Sequence, residues 1–173
     1  MATAASSTLG SVFVTGLQNA HAVENQALAM LDRQVERLVR YPEVIDRLRS
    51  HRLETEVQIR RLDEMLSEFN SSSSGWKDMA LNFMGNMAAL GNVMAADEIL
   101  KDQIINYAFE NFEIASYRSL IALAEAGEFA SAAGLLRETL REEEAMAAWV
   151  LDTLPELTLK YVGLRSRGER AGR

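Results

Sequence analysis

Residues 107–144 read YAFENFEIASYRSLIALAEAGEFASAAGLLRETLREEE, and this stretch decides the fold. On both sides of Gly127 the apolar residues recur every three or four positions, which is the period of a helix with one buried face. The period predicts a helix over about residues 97–126, with Gly127 after its end, and another over about 129–153, ended by Pro155. So short a turn places these two helices antiparallel and in contact.

The same period defines a second helical hairpin upstream. One stripe begins at about Ser11 and ends at Arg40-Tyr41-Pro42, because the residue before a proline is forced out of the helical conformation. Another follows from Pro42 to about Phe69. The polar run 70–75 predicts a linker, and the apolar residues 76–96 predict a short helix, broken at Gly85, that crosses between the hairpins.

These elements predict an all-α four-helix bundle with one crossover segment containing a short helix. We expect a single domain over residues 11–164, which includes a last short helix from Glu156 to about Leu164. Residues 1–10 are predicted to be a disordered N-terminus and residues 165–173 a basic flexible tail.

Composition excludes several classes of protein and of site. The 173 residues contain no cysteine and two histidines, with 25 acidic against 18 basic residues, for a net charge of −7. The missing cysteines exclude disulfide scaffolds, zinc fingers and thiolate iron–sulfur sites, and they are compatible with the cytoplasm, where we expect the protein. The negative charge argues against a nucleic-acid partner. The apolar runs are too short for a membrane span, and the first ten residues lack the basic region of a signal peptide.

Polar residues interrupt each apolar stripe near its middle. A lone buried carboxylate is costly unless it is paired, protonated or bound to a cation. Counted from the two hairpin turns, the acids of all four helices lie at one level, roughly 20–25 Å along the axis at a rise of 1.5 Å per residue. With two histidines available, a metal site here must be mostly carboxylate, which suits iron or manganese and matches the layout of ferritin-like dimetal bundles. The predicted layer consists of His21, Glu24, His51, Glu54, Gln58, Glu110, Glu113 and Glu143.

Each of these residues also has a simpler interpretation. Any one of the acids alone could face solvent, and an isolated core histidine is usually structural. We expect the charge run 141–144 to be a solvated face apart from Glu143. Tyr107 and Tyr117 are expected to be core aromatics, and the methionines of residues 79–94 to serve packing.

Motifs on all four helices resemble the bacterial ferritin-like stress-response proteins of the YciE/YciF family, over roughly residues 15–153. The third helix carries E-x-x-E-I-A-x-Y from Glu110 to Tyr117, and the fourth carries L-L-x-x-T-L-x-E-E over residues 135–143. The second carries H-x-x-E-T-x-x-Q-I-x-R-L over residues 51–62, and AVENQAL around Glu24 is similar to the first-helix motif.

The resemblance implies a cytoplasmic, often dimeric dimetal-carboxylate protein with ferroxidase-like activity. It favours Glu24, Glu54, Glu113 and Glu143 as metal ligands, with Glu110 as a further carboxylate.

The chain departs from the wider ferritin-like pattern, because Glu-x-x-His is absent and the reverse order occurs twice, at 21–24 and 51–54. His51 therefore either binds a metal directly or orients a glutamate, whereas Gln58, His21 and Tyr117 are assigned supporting positions around the ligands.

The leading functional hypothesis is a stress-response oxidoreductase that holds two metal ions, iron first and manganese second, and uses dioxygen or peroxide. One alternative is a non-catalytic structural or interaction bundle in which metal is only structural. A second is a manganese enzyme that destroys peroxide. The apolar residues 76–93 exceed what one bundle needs to cover itself, which predicts a homodimer.

Overall fold

Four long helices make up the computed structural model, which describes residues 4–69 and 98–172. They are α1 (Ala4–Arg37), α2 (Pro42–Glu68), α3 (Glu98–Ala126) and α4 (Ala130–Ser166). The predicted all-α four-helix bundle is confirmed. The short crossover helix predicted within 76–96, and the apolar residues 76–93 behind the dimer prediction, lie outside the described residues. No helix in residues 4–69 or 98–172 is long and apolar enough to span a membrane.

Contacts between the two hairpins fix the helix directions. Gln34, near the end of α1, pairs with Asn106 in the first third of α3, so α1 and α3 are antiparallel. Lys160, near the end of α4, contacts Glu43 at the start of α2, so α2 and α4 are also antiparallel. As a result α2 ends and α3 begins at opposite ends of the bundle, which is the arrangement that a crossover connection requires.

The core consists of two large apolar clusters, one toward each end of the bundle, and the predicted polar layer lies between them. Three aromatic rings close the end that holds the α3–α4 turn, with centroids 5.0–5.5 Å apart: Phe13, Phe69 and Phe129. The buried members of the first cluster include Leu17, Leu62, Met65, Tyr117, Leu120 and Leu136. Those of the second include Leu31, Leu38, Tyr41, Leu48, Ile99, Val150, Leu157 and Leu164.

The α3–α4 turn needs a glycine for close packing. A Cβ on Gly127 would lie 2.5 Å from the Phe129 ring and 2.8 Å from Leu9, which is closer than such atoms approach. The left-handed backbone of this turn belongs to the next residue, Glu128, with φ of 57°. The position of Gly127 after the helix was therefore predicted correctly, but its role is steric.

Two predicted helix limits are wrong. Helix α1 begins at Ala4, so residues 4–10 are helical, and Leu9 packs beside Gly127 at the far turn. Helix α4 continues through Pro155 to Ser166, so the predicted separate helix is its last part. A proline inside a helix costs about 3 kcal/mol. Burial of Leu157 and Leu164, each worth roughly 1.5–3 kcal/mol, offsets that cost.

The C-terminal residues 165–172 pack on the bundle instead of forming a flexible tail. Ala171 is buried, and its carbonyl accepts a hydrogen bond of 2.6 Å from the Tyr41 hydroxyl. Arg40 Nη1 contacts Glu169 Oε2 at 2.6 Å. The basic composition of this segment had suggested a solvated end, but the fully buried tyrosine needs an acceptor for its hydroxyl, and the tail supplies it.

This contact predicts a measurable loss. Tyr41→Phe should lower the free energy of unfolding by about 1 kcal/mol, because it removes the donor and leaves the Ala171 carbonyl buried without a partner. Urea denaturation gives the value. In a chain that ends at Gly168 the same substitution should be nearly neutral, and an equal loss in both backgrounds would contradict the assigned contact.

Candidate metal centre

Three side chains from α2, α3 and α4 meet in the bundle interior. His51 Nε2 lies 3.3 Å from Glu110 Oε2 and 3.6 Å from Glu143 Oε2, and all three residues are 2% exposed or less. Their potential ligand atoms lie within 4.8 Å of one another. Metal–ligand bonds of about 2 Å place opposite ligands on one ion about 4 Å apart, so the three residues can share an ion after small adjustments.

Several buried oxygen atoms of this layer accept no hydrogen bond. They are Oε2 of Glu110, both carboxylate oxygens of Glu113, Oε2 of Glu143 and Oε1 of Gln58. Buried polar atoms are nearly always satisfied, so these oxygens need a partner, which either a proton on a carboxyl group or a bound cation can provide. A bound cation supplies that partner, and the residues present fit a metal centre.

Two more buried acids, Glu24 of α1 and Glu113 of α3, extend the layer toward α1. Glu24 is buried, and its Oε1 accepts a hydrogen bond from the Tyr117 hydroxyl. Burial raises the pKa of Glu24 to about 8, although the hydrogen bond from Tyr117 opposes the shift. Burial, and then the charges of neighbouring glutamates, raise the pKa of Glu113 and of Glu143 well above the ordinary range.

The pKa of the His51 imidazole is also raised, which keeps a positive charge beside these acids. Burial by itself lowers its pKa, but the charge of Glu110 at 3.3 Å and the hydrogen bond with Glu54 outweigh burial and raise the pKa to about 9. Without metal, the centre therefore holds an imidazolium against Glu110, while Glu24, Glu113 and Glu143 retain protons near neutral pH.

Glu54 contacts the far side of His51 and lies outside the three-residue group. Its carboxylate accepts hydrogen bonds from His51 Nδ1 at 2.9 Å and from Arg47 Nη1 at 3.2 Å, and its side chain is 30% exposed. The hydrogen bond from His51 and the charge of Arg47 lower the pKa of Glu54. In this structure Glu54 orients the imidazole so that Nε2 points at Glu110 and Glu143.

Gln58 and His21, the other predicted supporting residues, differ in position. Gln58 donates a hydrogen bond to Glu143 Oε1 and so holds that carboxylate. Both ring nitrogens of His21 have other partners, since Nε2 lies 3.1 Å from Asp63 and Nδ1 lies 3.3 Å from the Asn25 amide. His21 therefore bridges α1 and α2, and the structure does not bring it to the group around His51.

Glu142 takes part in the layer's contacts, which the sequence interpretation missed. It was expected on a solvated face. Instead it receives two hydrogen bonds from Arg61, at 2.7 and 3.0 Å, and one of 3.0 Å from Gln58 Nε2. No signal within α4 indicated this contact, because its partner Arg61 is on α2, where Arg47, Glu54 and Arg61 recur at seven-residue intervals and so share one line along the helix.

The first turns of α3 also differ from the predicted stripe. Tyr107 was predicted to be a core aromatic, but it is only partly buried, as are Leu100 and Ile104 on the apolar stripe of this helix. A polar set is buried there instead, and within it Gln34 and Asn106 exchange two hydrogen bonds of 2.9 Å. The apolar period could not reveal this pairing, because its members lie on different helices.

Comparison with known proteins identifies the family. Residues 8–163 match the family described as Domain of unknown function (DUF892). The chain belongs to the DUF892 family. Protein YciF of Escherichia coli K12 is 32% identical to this DUF892 chain over 149 residues, which span 80% of this chain and 85% of that protein. The resemblance found in the four helical motifs is thereby confirmed.

Solved structures agree with the DUF892 fold. A protein from Xanthomonas campestris pv. campestris superposes with a TM-score of 0.75 at 27% identity, covering 90% of this chain and 97% of that one. The E. coli stress protein YciF superposes with a TM-score of 0.73 at 27% identity, covering 84% and 94%. YcfI of Rhodopseudomonas palustris, at 24% identity and a TM-score of 0.70 over 82% and 92%, supports the fold alone.

The shifted pKa values predict that metal-free protein loses stability as pH rises. The native state of each group binds its proton more tightly than the unfolded state does, so stability is lost between pH 4.5 and about 8 for Glu24 and between 6.5 and about 9 for His51. After chelation, the free energy of unfolding should fall by at least about 2 kcal/mol from pH 6 to pH 9. Urea titrations at each pH measure it.

A matched variant isolates the contribution of Glu24. Glu24→Gln keeps an acceptor for the Tyr117 hydroxyl but cannot ionise, so its stability should fall less over the same pH range. A stability of the metal-free parent that is constant or rises between pH 6 and 9 would contradict the assigned protonation states.

Proposed function

We propose that this DUF892 chain binds two metal ions, iron first, in the buried carboxylate layer, and that it acts as a ferroxidase-like oxidoreductase in stress response. Dioxygen or peroxide is the proposed oxidant. The observation that carries the proposal is the set of buried carboxylate oxygens without hydrogen-bond partners around a single imidazole. The relative YciF is described as a stress protein, which supports the stress-response part of the proposal. The proposal also places the protein in the cytoplasm and gives it the form of a homodimer.

The donor atoms of the layer form two groups, and each group would hold one metal ion. His51, Glu110 and Glu143 would hold one ion, because their donor atoms already lie together. Glu24 and Glu113 would supply the other, since both are buried and Glu113 has two free acceptor oxygens. The family resemblance implies Glu54 as a further ligand, whereas in this structure its carboxylate accepts from His51 Nδ1 and Arg47 and so holds the imidazole in place.

The side chains around the acids have separate tasks. Tyr117 donates a hydrogen bond to Glu24, and Gln58 donates to Glu143 as well as to Glu142, so the carboxylates of Glu24 and Glu143 are held in place. The apolar clusters on both sides exclude bulk water. The carboxyl groups with raised pKa release protons as they take up a cation, so metal affinity should rise with pH. Bound iron would supply the electrons for reduction of the oxidant.

A neighbouring pair of glutamates provides a matched test. Glu143 is buried in the layer, whereas Glu144 is partly exposed and pairs with Arg118. Glu143→Gln should lower iron(II) affinity at least about tenfold, in anaerobic titration followed by elemental analysis, because it removes a charged ligand. Glu144→Gln should leave affinity and stoichiometry at the parent values of two ions per chain. Equal metal content in both variants would contradict the assigned site.

Turnover separates the functional alternatives once metal binding is established. Oxidation of iron(II) by dioxygen or peroxide supports the proposal. Manganese retention with peroxide destruction, and no iron oxidation, would replace it with the manganese enzyme. Protein that binds metal, gains thermal stability and turns over nothing would show that the metal is structural.

A further inference from the structure

Two parallel contact chains run from the edge of the α2–α4 interface to the buried layer. In one, Arg61 holds Glu142, which accepts from Gln58, and Gln58 also donates to Glu143. In the other, Arg47 holds Glu54, which accepts from His51. Each chain begins at an arginine–glutamate pair near the surface and ends at a residue of the candidate metal centre.

The two outer carboxylates are reachable from solvent. The side chain of Glu142 is 26% exposed and that of Glu54 is 30% exposed, whereas their arginine partners are 15% and 17% exposed. Arg61 also reaches Thr139 Oγ1 at 3.2 Å, so this line of α2 faces α4. Along this line, acidic groups are therefore reachable from solvent and are paired with less exposed guanidinium groups.

A buried amide group lies between the rim and the metal centre. Gln58 Oε1 is fully buried and has no hydrogen-bond partner, while the amide nitrogen of the same group bridges Glu142 and Glu143. An amide oxygen is a good ligand for a hard cation. Three oxygen-bearing side chains thus follow one another from the surface inward: Glu142, Gln58 and Glu143.

The groove between α1 and α3 is poorly suited to a cation. Its volume is about 420 Å³, but its walls are mostly apolar or small residues such as Val12, Ala20 and Leu123. The hydroxyls of Thr15 and Ser116 in that groove bond to carbonyls of their own helices. Helices α3 and α4 pack most extensively, and α2 and α4 least, among the neighbouring pairs of the described residues.

We propose that divalent cations reach the metal centre through the α2–α4 interface, where Glu142 receives the ion at the rim and Arg61 restricts its uptake. The proposal rests on the metal centre assigned above. The arriving ion displaces the guanidinium from Glu142 and replaces one positive partner with another. It then passes to the amide oxygen of Gln58 and to the carboxylate of Glu143. Glu142 is a transit site and not a final ligand, so it governs the rate of binding and not its equilibrium.

The test uses cobalt(II) as the probe at low ionic strength without oxygen, with uptake followed by stopped-flow absorbance and affinity by equilibrium titration. Glu142→Gln should slow uptake about tenfold and leave the equilibrium affinity within twofold, because acidic groups at a cleft raise association rates of cations by about 10- to 1,000-fold. Arg61→Gln should accelerate uptake severalfold. Raised salt should reduce the difference between the parent and Glu142→Gln.

The ion pair of Arg118 and Glu144 is the matched control, because it joins the same residue types at 2.6 Å on the α3–α4 surface. Arg118→Gln and Glu144→Gln should match the parent in both rate and affinity. If Arg61→Gln is poorly folded by circular dichroism, Arg61→Lys serves instead, since it keeps the charge but cannot form the two-hydrogen-bond contact.

The outcomes test the proposed uptake route separately from the proposed metal centre. Equal rates for Glu142→Gln and Glu144→Gln, with normal binding by the parent, would overturn the route and leave the metal centre standing. Lost equilibrium affinity in Glu142→Gln would make Glu142 a ligand and overturn its transit role. Absence of cobalt binding by the parent would overturn the centre itself, and the route with it.

Discussion

Burial of acidic side chains in the middle of an otherwise apolar bundle is the constraint on which the rest of the structure depends. Two apolar clusters hold the four helices together from both ends, and they force Glu24, Glu110, Glu113 and Glu143 out of water between them. Ionised carboxylates cannot remain there unpaired. Without metal, most of the acids carry protons and the remaining charge is balanced by one imidazolium. The residues that can bind a cation therefore also determine how the stability of the fold depends on pH.

The order His51-x-x-Glu54 has a geometric consequence. Residues three apart on a helix lie on neighbouring turns of one side, so Glu54 can reach the Nδ1 of its own histidine. That contact leaves Nε2 directed at Glu110 and Glu143. The departure from Glu-x-x-His therefore leaves a nitrogen donor in the layer, held in place by the acid that the usual pattern would offer to metal.

The sequence predicted the features that depend on one helix or one tight turn. Periodicity predicted the four helices, and the distance from the α3–α4 turn predicted that Glu110 and Glu143 lie at one level, where the structure brings them together with His51. Features that depend on contacts between distant segments were missed. Glu142 looked solvated because its partner Arg61 is on another helix.

The C-terminal segment and Pro155 were misjudged for a similar reason. The local signals were a basic composition and a helix breaker, and both were outweighed by packing near the α1–α2 turn. Burial energy between segments that are far apart in sequence leaves no periodic signature in either segment. Local patterns therefore identified the candidate centre better than they identified the helix ends.

The arginine–glutamate pairs at the α2–α4 interface connect stability with metal binding. Such partly exposed pairs contribute little to folding, typically about 0–1 kcal/mol, so stability alone is a weak explanation for their presence near the centre. What they do is supply a positive partner to Glu54 and Glu142 while no cation is present. A cation that replaces a guanidinium exchanges one ionic contact for another and leaves no bare carboxylate at any step. The bundle can therefore remain folded without metal and still take up metal ions, provided that the arginines bind these acids weakly enough to be displaced.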